Sequence, residues 1–383
     1  MDIGQSSVED VGVTVMSFAN TYRGKRVLLT GHTGFKGSWL AEWLVLLGAE
    51  VTGFALPPPT TPSLFDQLGL SKRLRHIEGD VRDLAAVRAT VEIVMPDFVF
   101  HLAAQPLVRQ SYKQPVETYA TNVMGTVNAL EAIRLAGRPC AVVAITTDKC
   151  YENKEWVYSY REEDPMGGYD PYSSSKGAAE LVIAAYRRSY FLSPDSSVKL
   201  ASARAGNVIG GGDWAVDRIM PDCIRALRRG DTIPVRNKIA TRPWQHVLEP
   251  LSGYLWLGAC MVNPRLTPYA AHLTSAFNFG PSLASNRTVA ELVQEVLKHW
   301  PGRWEDQSDP KAVHEARLLN LATDKAHHFL NWSPIWSFAD TIGHTVAWYK
   351  KAEAVGTDIH ALTTSQINAY STAARVAGIT WAT

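Results

Sequence analysis

The stretch Arg26-Val-Leu-Leu-Thr-Gly-His-Thr-Gly-Phe-Lys-Gly37 decides the fold. A short β-prone run, Arg26 to Thr30, leads into glycines at 31, 34 and 37, and Ser38 to Leu47 then reads as a helix ended by Gly48. Glycines in such a turn permit the tight bend, let a pyrophosphate approach the backbone, and let the helix pack close to the strand. The helix also presents free N–H groups and its positive dipole end to the phosphates. The predicted dinucleotide turn comprises Gly31, His32, Gly34, Phe35, Lys36 and Gly37. Its spacing differs by one residue from the common GxGxxG pattern.

Outward from this turn the chain alternates. Strands are predicted at 50–55, 75–80, 98–102, 141–146 and 198–204, with helices at 85–94, 116–136 and 174–189 between them. Such alternation predicts an α/β fold, a doubly wound parallel sheet of the Rossmann type. The nearly continuous apolar run 141–146 fits a strand covered on both faces. After Gly206 the pattern becomes irregular, which predicts a smaller, mixed C-terminal lobe. The expected division is an N-terminal extension (1–22) that packs weakly, a dinucleotide-binding domain (23–205) and a substrate lobe (206–242 and 281–383). Segments near 243–262 and 275–280 are expected to return to the first domain.

Composition narrows the function classes. The 383 residues are 46% hydrophobic, ample for a packed core. Thirty-eight basic against 37 acidic residues leave a net charge of +1, which argues against nucleic acid or an anionic membrane surface as partner. The four cysteines, at 140, 150, 223 and 260, form no metal-ligand spacing, so no metal is expected. They suit a reducing compartment, and a cytoplasmic location is expected. The longest apolar stretches, 39–47 and 254–262, fall short of the roughly 18 residues of a membrane span.

Three further constellations carry chemistry. Tyr172-Ser-Ser-Ser-Lys176 opens a helix, and the i, i+4 spacing puts both side chains on one face. A Lys ammonium there favours the phenolate, which then takes a proton from an alcohol. Thr147, Asp148 and Lys149 follow the apolar strand, at the end where open α/β sheets bind ligands. They offer a hydroxyl, an acid and a base. Leu102, Ala103 and Ala104 end another strand with small side chains that leave room for a cofactor. Asp80 and Val81 are candidates for the adenine end and Asn122 for an active-site bridge. No acid or arginine ends the second strand, so NAD is not separated from NADP there. For an anionic substrate, Arg218, Arg236 and Arg242 offer forked donors.

Together these stretches resemble the extended short-chain dehydrogenase/reductase superfamily, over roughly residues 24–350. Gly79-Asp-Val-Arg-Asp83, His101-Leu-Ala-Ala104, Arg204-Ala-Gly-Asn207 and Asn278-Phe-Gly280 add to the likeness. Gln105-Pro-Leu-Val-Arg-Gln-Ser-Tyr112, Thr147-Asp-Lys-Cys-Tyr-Glu-Asn153 and Gly210-Gly-Gly-Asp-Trp214 make the chain similar to the CDP-glucose branch of the nucleotide-sugar 4,6-dehydratases. Lys149, where relatives usually carry Glu, looks like a mark of that branch. The resemblance implies a tightly held NAD, a homodimer, and a place in deoxysugar and cell-surface polysaccharide (lipopolysaccharide O-antigen) synthesis. It implies Thr147, Asp148, Lys149, Tyr172 and Lys176 as catalytic residues, with Asp148 as acid and Lys149, its pKa depressed, as base. It implies Gln105, Asn207, Arg218, Arg236, Arg242, His246 and Asn278 as substrate contacts. A nucleotide-sugar 4-epimerase shares Tyr172, Lys176 and the glycine turn, but has no use for Asp148-Lys149. A non-catalytic NAD sensor has no use for the Tyr172–Lys176 pair.

Overall fold

The computed structural model describes residues 17–308 and 318–383. Seven parallel strands form the main sheet: β1 (Arg26–Thr30), β2 (Glu50–Ala55), β3 (Arg75–Glu78), β4 (Phe98–His101), β5 (Cys140–Ile145), β6 (Val198–Ala205) and β7 (Ala276–Phe279). Their order is β7-β6-β5-β4-β1-β2-β3. The chain thus winds outward in both directions from β1, and the crevice beyond the strand ends between β1 and β4 is the ligand-binding position of such sheets.

Helices cover both faces. On one side α2 (Leu84–Val94), α3 (Gly125–Ala136) and α4 (Pro171–Tyr186) bury Val87, Val91, Leu130, Ile133 and Ile183 against Leu28, Val99, Val142 and Leu200. On the other, α1 (Phe35–Leu46) and the apolar α6 (Leu248–Val262) bury Trp39, Leu40, Leu251 and Leu255 against Leu29, Phe100 and Val143. Before α6, α5 (Ile219–Arg229) belongs to the irregular region. After β7 come α7 (Val289–His299), α8 (Phe338–Ala352) and α9 (Ile359–Val376). α7 and α8 each begin with a capping box, at Thr288–Glu291 and Ser337–Asp340, which fixes their first turns.

Two expectations are corrected here. Residues 17–22 do not pack weakly: Phe18 stacks on Trp381 at 4.9 Å between centroids, and the Tyr22 hydroxyl donates to the Leu255 carbonyl at 2.5 Å. Residues 1–16 of the expected extension lie outside the described residues. The helix expected over 116–136 is not one regular α-helix. A short helix (Pro115–Tyr119) runs through a π-helical turn at Ala120–Met124 before α3 begins. Asn122 lies inside this turn and is buried.

Candidate active site

The ends of β1, β4, β5 and β6 open into one cleft of 1690 Å³, roofed by segments of the C-terminal region. Gly31, Gly34, Phe35, Lys36 and Gly37 form its floor, with Asp80, Val81, Leu102, Ala103 and Ala104 beside them. Thr147, Lys149, Tyr172 and Lys176 line its centre, and Asn207, Arg218, Arg236 and Arg242 line the far side.

The glycine turn divides its labour. Gly31 has φ +77°, and an added Cβ there meets the Ala103 nitrogen at 2.7 Å. At Gly37 an added Cβ falls 2.1 Å from the Gly31 carbonyl oxygen. Both are glycine because the protein's own backbone leaves no space. Gly34 differs: its backbone is extended (φ −79°, ψ 167°), and a Cβ meets only the Gly31 oxygen among protein atoms, at 3.5 Å. That Cβ fills part of the floor just before the first N–H groups of α1, the place a pyrophosphate takes. The residues present therefore fit a dinucleotide.

At the centre, Tyr172 is capped into α4 by Asp170, whose carboxylate accepts from the Ser173 N–H at 2.9 Å. Burial pushes the Tyr172 phenol up to about 12, against a hydrogen bond with Thr147 that lowers it. The expected depression by Lys176 is corrected: the opposing influences on the phenol come from Thr147 and Arg218, and burial outweighs them. Burial likewise lowers Lys176 to about 8, opposed by the Glu180 carboxylate. Its ammonium donates to the Ile145 carbonyl at 3.4 Å. Asp148 is fully buried; its Oδ1 accepts from Thr147 Oγ1 at 3.0 Å and lies 3.7 Å from Lys149 Nζ. Its Oδ2 is buried without a partner among the described residues. A buried carboxylate oxygen without a partner is open to a ligand or an ordered water. Lys36 shares this space. Burial and the nearby Arg218 and Lys176 charges lower its ammonium to about 7, and it lies 5.8 Å above the Tyr254 ring.

On the far side, Arg218 pairs with Asp213 at 2.9 Å, and Arg236 is held by Asp217 and Asp222. Arg242 is largely buried and donates to the Thr241 carbonyl at 2.8 Å. Asn207 Oδ1 is buried and unpartnered among the described residues. Asp80, expected at the adenine end, is already engaged by Arg82 at 2.6 Å.

Five expected contacts are corrected. Asn278 lies under the sheet end, fully buried, with Tyr151, Glu162, Tyr160 and Ala322 taking its hydrogen bonds. His246 is walled in by Trp39 and Trp336, and burial keeps its ring neutral. The His32 side chain turns away from the cleft to bond His76 at 2.7 Å. Asn122 and Gln105 clasp each other: Asn122 Oδ1 accepts from the Gln105 N–H at 2.8 Å and its Nδ2 donates to Ser175 Oγ at 2.9 Å. The Gln105 amide donates to Thr118 and accepts from the Leu107 N–H. These five side chains shape the walls and none lines the cleft; Asp148 too lies behind the lining formed by Thr147 and Lys149.

Sequence reasoning missed Arg109, Lys113, Asn153 and Asp217 in the lining. It also missed Glu180 behind it, although Glu180 continues the i, i+4 series of Tyr172 and Lys176 and was findable from helical spacing alone.

A doubly wound sheet with a glycine-floored dinucleotide cleft and a Tyr-xxx-Lys pair at the ends of its strands defines the class: a short-chain dehydrogenase/reductase scaffold. Within it, the chain belongs to the family described as GDP-mannose 4,6 dehydratase, whose model matches residues 28–345. It is 49% identical to a CDP-glucose 4,6-dehydratase of Salmonella typhimurium, over 86% of this chain and 92% of that one. A CDP-paratose 2-epimerase of Salmonella typhi is 31% identical, over 84% and 98%. Among solved structures, a dTDP-glucose 4,6-dehydratase from Streptomyces venezuelae with NAD bound superposes with a TM-score of 0.72 at 26% identity, covering 85% of this chain and 97% of that one.

Proposed function

We propose that this chain is an NAD-dependent hydro-lyase that converts CDP-glucose to CDP-4-keto-6-deoxyglucose. NAD, when bound, accepts the hydride from C4 of the sugar and returns it to C6. Gly31, Gly34, Gly37 and the first turn of α1 hold its pyrophosphate, and Leu102–Ala104 leave room for the rest. Tyr172 removes the proton from the 4-hydroxyl, with Thr147 as hydrogen-bond partner and Lys176 stabilising the phenolate. The 4-ketone acidifies the proton at C5. Lys149 takes that proton, and Asp148 protonates the C6 hydroxyl so that it leaves as water. Arg218, Arg236, Arg242 and Asn207 face the nucleotide half.

The observation that carries this reading is Asp148. It is fully buried just behind the cleft lining, stands beside Lys149 and within electrostatic reach of Tyr172, and keeps one carboxylate oxygen unspent. An epimerase needs Tyr172 and Lys176 but no acid poised for a leaving hydroxyl. The likeness to the Salmonella typhimurium enzyme supports CDP-glucose as the substrate. Incubation with CDP-, dTDP-, GDP- and UDP-glucose and catalytic NAD tests the reading: a 4-keto product from CDP-glucose supports it, and an epimer or no product opposes it.

The reading extends to assembly and setting. Val116, Tyr119 and Met124, before α3, and Leu181 on α4 are exposed, which suits a homodimer formed through these helices. Light scattering at micromolar concentration checks it. A 4-keto-6-deoxy sugar product suits deoxysugar synthesis for cell-surface polysaccharide, and the four free cysteines suit the cytoplasm. Among the described residues no helix is long and apolar enough to cross a membrane.

A further inference from the structure

One face of α4 carries Tyr172, Lys176 and Glu180 in successive turns. Glu180 lies outside the cleft lining, and its side chain is 3% exposed. Its Oε1 accepts from Thr146 Oγ1 at 2.5 Å, and its Oε2 accepts from Ser202 Oγ at 2.9 Å and from Arg204 Nη2 at 2.8 Å. Arg204 continues inward, donating to the Tyr151 hydroxyl at 2.8 Å and the Glu162 carbonyl at 2.9 Å. One carboxylate therefore ties α4 to the residue that precedes Thr147-Asp148 and to β6.

A buried ion pair of this kind is poor value as a stabiliser. Desolvating both charges costs several kcal/mol, and apolar replacements are often as stable. Its position suggests a different use. Lys176 is buried, and among the described residues its ammonium makes one long hydrogen bond, to the Ile145 carbonyl. Besides Tyr172, four titratable groups among the described residues face its ammonium: Lys36 from α1, His101 from β4, Cys150 past β5, and Glu180 from its own helix. Lys36 repels it. Burial keeps His101 neutral, at about 3, and keeps Cys150 a thiol. Glu180 is the remaining one, and it is an anion: burial pushes its carboxyl up, but Arg204 and the hydrogen bonds from Arg204, Thr146 and Ser202 bring it below the ordinary range. The other charges near Glu180 are Arg204 and Arg187.

We propose that Glu180 is a positioning residue for the catalytic pair, holding Lys176 as an ammonium one helical turn from Tyr172 and fixing Thr146, so that Thr147 lines the cleft with Asp148 directly behind it. This deepens the dehydratase reading and rests on its use of Tyr172 and Lys176. Protonated Lys176 is present only below its own pKa, so removing the anion moves the alkaline loss of activity to lower pH.

The test follows reduction of the nicotinamide by sugar nucleotide in single turnover across pH, a step that dehydratases and 4-epimerases share. Failure of the dehydratase reading shows separately, in the wild-type product. For Glu180→Gln the alkaline limb is expected to move down by about one pH unit or more, the scale of a lost opposite charge. At a pH on that limb the rate then falls roughly tenfold, with KM for the sugar nucleotide nearly unchanged. Glu180→Asp should restore much of the wild-type profile. Because Glu180→Gln leaves Arg204 unpaired and endangers folding, Glu180→Gln/Arg204→Met removes both charges and should show the same displaced limb. A wild-type limb in either variant, with only a lower amplitude at every pH, overturns the proposal and leaves Glu180 a structural residue.

Discussion

Replacing Gly34 by Ala separates what the protein needs from what its ligand needs. The added Cβ meets only the Gly31 oxygen, at 3.5 Å, an ordinary contact, and the extended backbone at Gly34 suits any residue. Ala is a poorer N-cap than Gly by up to about 1 kcal/mol, and the stiffer unfolded chain returns roughly 0.4–1 kcal/mol. Stability should hardly change. The methyl group, however, occupies the approach of the pyrophosphate to the start of α1. Losing one charge-assisted hydrogen bond costs about 1.5–3 kcal/mol, which weakens NAD binding by about 10- to 150-fold. Gly37→Ala is the contrast. Its Cβ falls 2.1 Å from the Gly31 oxygen and 2.8 Å from the His32 Cα, so the turn itself must open. Stability should drop by about 1–3 kcal/mol, and binding with it. Calorimetric titration with NAD and thermal melts of the cofactor-free proteins measure both quantities. A Gly34→Ala protein that binds NAD as wild type, or a Gly37→Ala protein that keeps both affinity and melting temperature, refutes the assignment of the turn.

Other expectations concern the reacting residues. Gly206→Ala puts a Cβ 2.9 Å from Asp148 Oδ2, so the carboxylate must move; kcat should fall severalfold while NAD affinity stays, and an unchanged kcat contradicts Asp148 as the acid. Tyr172→Phe should show no nicotinamide reduction on mixing with substrate. Asp148→Asn should oxidise C4 and then stall, with reduced nicotinamide accumulating and turnover lower by about 10²–10⁴, the usual range for a lost general acid; normal turnover of this variant returns the epimerase reading. Arg242→Met should raise KM for the sugar nucleotide by about 10-fold or more, the scale of one charged hydrogen bond; an unaltered KM makes Arg242 a structural residue.

Local patterns were readable and long-range ones were not. The strand–glycine–helix turn and the Tyr172–Lys176 pair are written within a few residues, so their spacing carries the geometry. Which way a polar side chain faces is decided by elements far along the chain. Asn278 and His246 looked like donors for a substrate, yet Asn278 satisfies Tyr151 and Glu162, and His246 fills a slot between Trp39 and Trp336. Nothing near Glu180 in sequence announces Arg204 and Thr146 as its partners. The aromatic pairing of Phe18 and Trp381 joins the two ends of the described fold, beyond any local periodicity.

The central claim is an internal redox cycle around a dehydration, and isotope placement tests it most directly. CDP-glucose carrying deuterium at C4 should give a 4-keto-6-deoxy product with the deuterium at C6, with NAD needed only in catalytic amount. Tyr172 and Lys176 then serve the oxidation, and Asp148 and Lys149 the elimination between the two hydride transfers. Deuterium retained at C4 of an epimerised sugar, or a product without deuterium at C6, contradicts the account.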